Sequence, residues 1–181
     1  MVILPKSGGG ITPLNQKKWK EFFIKDVSTI NSGHDIYEDE RVLGNIPYVS
    51  SSSVNNGICH FVSNVNETIE AGCISVNRNG SVGYAFYHEY KALYSNDCRK
   101  LRLKKNNKYV AIFITMQITE QRGKYSYGYK MGTDRLKRQK IMLPVANDET
   151  PDYAYMEQYV KTQFDALKLQ YLRWKMAMIG E

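Results

Sequence analysis

Apolar residues recur at Tyr153, Met156, Val160, Phe164, Leu167, Tyr171, Trp174 and Met178. The steps are three or four residues and average about 3.6, the period of an α-helix. Thr150 is a suitable N-cap, with Pro151 in the first helical position. The pattern predicts a helix of about 28 residues, about 42 Å long at 1.5 Å per residue. One continuous apolar stripe of that length extends past a small domain. A partner helix therefore accounts for it better than packing wholly along its own domain. The partner-facing candidates are Met156, Val160, Phe164, Leu167, Tyr171 and Trp174.

Ahead of this helix the signals change to strands and turns. Ile46-Pro47-Tyr48-Val49 is a short apolar run and Ser50–Ser53 a polar loop. Asn55-Asn56-Gly57 is a turn before Ile58–Val62. Cys73–Val76 reads as a strand and ends at Asn79-Gly80, where positive φ costs little. Val82–Tyr87 resumes as strand. Residues 109–121 fit either period, and Asn106-Asn107 would cap a helix there. The expected class is α+β: a twisted, largely antiparallel sheet domain over 19–148, followed by a C-terminal spacer or dimerisation helix over 149–181. Residues 1–18, with Ser7-Gly8-Gly9-Gly10, read as a flexible leader.

Composition narrows the function. The chain has 181 residues, is 43% apolar and 24% charged, and is expected to be soluble and cytoplasmic. Its longest apolar run, Tyr109–Ile114, is far shorter than the ~20 residues of a membrane helix. Cys59, Cys73 and Cys98 are an odd number without CxxC spacing, which disfavours a disulfide framework or structural zinc. The net charge is +7, but it is unevenly placed. Arg99 to Lys140 holds thirteen Lys or Arg and two acids, a net +11, leaving −4 for the rest. Such asymmetry predicts one positive face.

Catalytic patterns do not emerge. Pro151-Asp152 has no Glu-x-Lys after it, and Glu89-Tyr90-Lys91 has no acidic partner upstream, so no magnesium-holding carboxylate set forms. Asn45-Ile46-Pro47-Tyr48 has isoleucine where an adenine methyltransferase loop carries proline, and no glycine-rich cofactor loop precedes it. His34, His60 and His88 are dispersed. We assign no catalytic residue, no metal ligand and no cofactor.

Duplex binding needs cations for phosphates and polar side chains for base edges. Arg99, Lys104 and Lys105 belong to one basic run. Lys124, Lys130, Arg135, Lys137 and Arg138 belong to a second, next to Tyr125–Tyr129. Base-reading candidates are Ser51, Ser52, Ser53, Asn55 and Asn56 in one loop and Arg78, Asn79 and Ser81 in another. A basic module for RNA or protein would use the same residue types.

The landmarks Trp19–Phe22, Leu43–Ser50, Asn55–Ile58, Ile74–Gly83 and Tyr127–Val145 occur in an order and spacing that resembles a known family. It is the target recognition domain of type I restriction-modification specificity subunits, related to domains of type IIB enzymes. The resemblance covers most of the chain from 19 to 160 and favours helix over 109–121. It implies recognition of a short DNA half-site, a following spacer helix, and no catalysis in this chain. Methyltransferase subunits using S-adenosylmethionine would modify adenine, and a restriction subunit would cleave. Complete specificity subunits resemble two such units in tandem, whereas this chain has one. Pairing through the helix would give a homodimer for a two-fold symmetric target. The chain also suits a recognition domain of a larger restriction-modification enzyme.

Overall fold

The computed structural model describes residues 11–126 and 128–179. The glycine run at 8–10 and Tyr127 lie outside the described residues. Along the chain run β1 (Trp19–Phe23), α1 (Ile24–Val27), β2 (Ser28–Ser32), β3 (Leu43–Val49), β4 (Ile58–Val62), β5 (Cys73–Asn77) and β6 (Ala85–His88). Then come β7 (Leu93–Tyr94), β8 (Cys98–Leu103), α2 (Lys108–Thr119), α3 (Thr133–Arg138), β9 (Lys140–Pro144) and α4 (Tyr153–Ile179).

The architecture is α+β. A four-stranded antiparallel sheet has the order β2-β8-β5-β6. A three-stranded sheet, β4-β3-β7, pairs β3 with β4 antiparallel and with β7 parallel. β1 and β9 form a separate antiparallel pair. Helix α2 packs on β6, β9 and α4. Its Val110, Phe113, Ile114 and Ile118 join Ile74, Leu101, Leu143 and Met156 in the main core. The ambiguous 109–121 segment is thus helical. The Asn107 carboxamide caps it, accepting from the backbone N–H of Tyr109 and Val110. Asn107→Ala is expected to lower the stability of the domain by about 1 kcal/mol, read from its urea midpoint.

Three expectations are corrected. The first half of the basic run at 99–105 lies inside the molecule, because Arg99–Leu103 belongs to β8, an interior strand, whereas Arg102, Lys104 and Lys105 are exposed. Alternation sends Leu101 and Leu103 into the main core and Lys100 to the opposite face, over the Tyr94 ring. Arg99 and Lys100 are buried. Helix α4 begins two residues later than expected. Asp152 caps it by accepting from Tyr155 N, while Pro151 bridges to Val145. Finally, Met156 and Val160 do not face outward. They are 0% and 4% exposed and pack in the domain's own core, since α4 lies on α2 there. The last ring contact with the domain is Phe164 on Tyr109; beyond it the helix leaves the domain, and Leu167 and Trp174 are 62% and 57% exposed. Part of the presumed leader is also tied down: Tyr155 OH donates to Thr12 O and Trp19 Nε1 to Leu14 O.

Candidate nucleic-acid interface

The two polar loops meet at one end of the four-stranded sheet. Ser81 N donates to Ser51 O at 3.2 Å, and Asn77 Nδ2 to Ser52 O at 2.8 Å. Gly80 has φ +53°, and a Cβ there would lie 2.9 Å from Ser51 O, so glycine permits the contact. The backbone carbonyls of Ser51 and Ser52 are therefore occupied in joining the loops, and Ser52 Oγ hydrogen-bonds within its own turn. The tip beyond them is open: Ser53, Asn55 and Asn56 are exposed. Asn55 and Asn56 take φ of 50° and 53°, a left-handed pair that asparagine tolerates.

The other loop is anchored to Asp97. The backbone N–H groups of Arg78 and Asn79 both donate to Asp97 O, and the Asn79 amide donates to the Asp97 carboxylate. Asn79 is thereby fixed as a buttress of the loop. Arg78 Nη1 donates to Asn96 O at 3.2 Å, and Arg99 Nη1 donates to the same oxygen at 2.9 Å. Arg99 Nε reaches Thr133 Oγ1 at 2.7 Å, tying β8 to α3. Burial, and then the neighbouring Arg78 charge, hold the Arg99 guanidinium below its ordinary pKa.

Helix α3 brings the second basic group to the same end. Arg135 lies 3.8 Å over the Tyr129 ring and donates from Nη1 to Lys130 O at 2.8 Å. Tyr129 stacks in turn on Tyr125. Arg78, Arg99, Lys130, Thr133, Asp134 and Arg135 line an open cleft of about 400 Å³. A second cleft, of about 330 Å³, is lined by Lys124, Tyr125, Tyr129, Arg135 and Arg138 among others. Lys137 is exposed on α3, 3.9 Å from the Asp134 carboxylate. Lys104 and Lys105 are not part of this group. They follow the far end of β8, about 17 Å along the strand from its start, and Lys105 borders a groove with Asp152 and Glu157 at the root of α4.

Two arginines at this end lack a distinguishing sequence signal. Arg41 follows the acidic triplet Glu38-Asp39-Glu40, which masks it. Its Nε donates to Ile36 O, its Nη1 contacts His60 Nε2, and it lies over the Tyr48 ring. Arg122 covers the Tyr84 ring beside Gly83. His88 is a buried structural residue: its Nε2 meets Ser75 Oγ at 2.9 Å, and burial lowers its pKa to about 4. Among the described residues no group of three His, Cys, Asp or Glu could hold a metal ion, and no helix is long and apolar enough to cross a membrane.

Residues 16–171 match the type I restriction modification DNA specificity domain. The chain is 42% identical over 156 residues to the BgcI specificity subunit S.BcgI, of a type II restriction enzyme from Heyndrickxia coagulans. That match covers 83% of this chain and 46% of the relative. The fold is similar to the type I restriction-modification S subunit from M. genitalium, with TM-score 0.60 and 17% identity over 91% of this chain and 44% of that one. It is also similar to the HsdS subunit from Thermoanaerobacter tengcongensis, with TM-score 0.57 and 16% identity over 92% and 42%. The chain thus spans less than half the length of these relatives. With its two polar loops and basic helix gathered at one end of the sheet, the chain belongs to the family of type I restriction-modification DNA specificity domains.

Proposed function

We propose that this chain reads one half of a bipartite DNA target and directs partner adenine methyltransferase subunits to it. It has no catalytic role of its own. S-adenosylmethionine binds the partner, and a restriction subunit joins where cleavage accompanies modification. The protein works in the cytoplasm. The observation that carries the reading is the exposed Ser53-Asn55-Asn56 tip beside a cleft rich in arginine, on a domain of this family. Asparagine suits bidentate contact with adenine, and the exposed cations of 124–138 suit phosphates. The projecting half of α4 supplies the surface for a second copy or for the methyltransferase.

The test is selection of duplexes from a random pool by the chain together with its methyltransferase. Selected duplexes should converge on a short motif, and single-stranded RNA should compete poorly. Asn55→Ala is expected to weaken binding to the selected motif by about 1–3 kcal/mol and to leave random-sequence binding unchanged. A pool that never converges would refute the proposal.

A further inference from the structure

Several cations of the domain pair with carboxylates: Lys18 and Lys20 with Glu149, Lys100 and Arg102 with Glu70, Lys140 with Glu21. Arg78, Arg99 and Arg135 are held differently. Their partners are the Asn96 and Lys130 carbonyls, the Thr133 hydroxyl and the Tyr129 ring. These neutral groups fix the guanidinium planes without cancelling their charge. Arg78 and Arg99 also donate to one shared oxygen, so their nitrogens cannot be farther apart than those two bonds allow. Two like charges at that separation repel. The Asp97 carboxylate, which accepts from the Asn79 amide, offsets part of the Arg99 charge, and exposed Asp134, on the rim of the cleft, lies 3.9 Å from Lys137.

We infer that the cleft between the β5–β6 loop and α3 is the seat of one phosphodiester of duplex DNA, gripped by Arg78 and Arg135 and backed by buried Arg99. This assigns Arg78 to the DNA backbone and not, as its turn position suggests, to a guanine. A guanine edge offers two acceptors to a single guanidinium and no net charge to offset the Arg78–Arg99 repulsion. A phosphate offers charged oxygens to guanidinium groups arriving from different elements. The stack of Tyr125, Tyr129 and Arg135 gains a role as well: it holds the α3 guanidinium in place before the ligand arrives, lowering the entropy cost of binding.

The inference rests on the DNA-recognition reading, and a salt titration separates the two. The probe is a fluorescent duplex of random sequence, bound over a range of salt concentrations. Arg78→Ala is expected to weaken binding about tenfold at low salt and to lower the slope of log affinity against log salt by at most about 0.9, the value for one phosphate, since Arg135 and Arg99 still face it. The Arg78→Ala/Arg135→Ala double variant should lose that same single phosphate's slope, because both side chains serve one group. Removing Arg78 also relieves repulsion, so the variant should melt no lower than the wild type. A wild type that binds while the double variant keeps its slope overturns the cleft alone. So does a double variant that loses twice the slope, or a melting temperature that drops by several degrees. A wild type without affinity for the duplex at low salt overturns the DNA-recognition reading, and the cleft with it.

Discussion

Glu70→Ala is expected to destabilise the folded domain by about 3–5 kcal/mol, an unusually large loss for a side chain that reaches the surface. Lys100 sits on the interior strand β8 with its side chain 7% exposed. Its ammonium lies 2.7 Å from Glu70 and donates to Thr68 O at 3.1 Å. Glu70 also pairs with Arg102. Without the carboxylate, a charge stays buried with only the Thr68 carbonyl and the face of the Tyr94 ring for company. Urea unfolding checks the value, and Lys100→Met in the Glu70→Ala background should recover much of it. A single-variant loss below about 1 kcal/mol would mean that Lys100 reaches water by another route. The effect has a pH signature. Burial would raise the Glu70 carboxyl, but its bonds to Lys100 and Arg102 outweigh burial and hold it below the usual carboxylate range. A group depressed on folding contributes fully above its unfolded value, about 4.3. The stability gap between the wild type and Glu70→Ala should therefore persist at neutral pH and close as pH falls below about 4, through the folded value.

Leu167→Lys is expected to abolish self-association through α4, weakening it at least about a hundredfold. Leu167, Tyr171, Trp174 and Met178 are each more than half exposed on the part of the helix that leaves the domain. Burying such side chains yields about 1.5–3 kcal/mol each, enough to drive pairing of two copies. In a two-fold seam one substitution introduces two ammonium groups, each losing hydration without a partner. Sedimentation or light scattering reads the outcome directly, and the domain itself should stay folded, because its core uses Met156 and Val160 instead. A wild type that is monomeric at high concentration would remove the homodimer and leave the stripe to the methyltransferase subunit.

What was legible in the sequence was local. The 3.6 period announced α4, the Asn-Gly turns announced the start of β4 and the end of β5, and Asn107 sat where a cap was needed. These features depend on neighbours within a few residues. The misread features depend on distant partners. A run such as Arg99-Lys100-Leu101-Arg102 reads as surface unless Glu70, some thirty residues earlier, is known to meet it. Val160 and Leu167 share one stripe, yet only the position of α2 decides that one is core and the other is free. Arg78 looks like a base reader because it opens a turn. The cleft to which we propose to assign it instead is completed by α3, which arrives more than fifty residues later.

The pairing of β1 with β9, with Thr12 held by Tyr155 at the foot of α4, has a consequence for the evolution of such chains. The polypeptide enters and leaves the domain through the same doorway. Everything between can be exchanged for a differently sequenced version without stretching what comes before or after it. A helix that keeps its footing on that doorway could carry a succession of reading heads, each with its own preference, while the assembly around it stays unchanged.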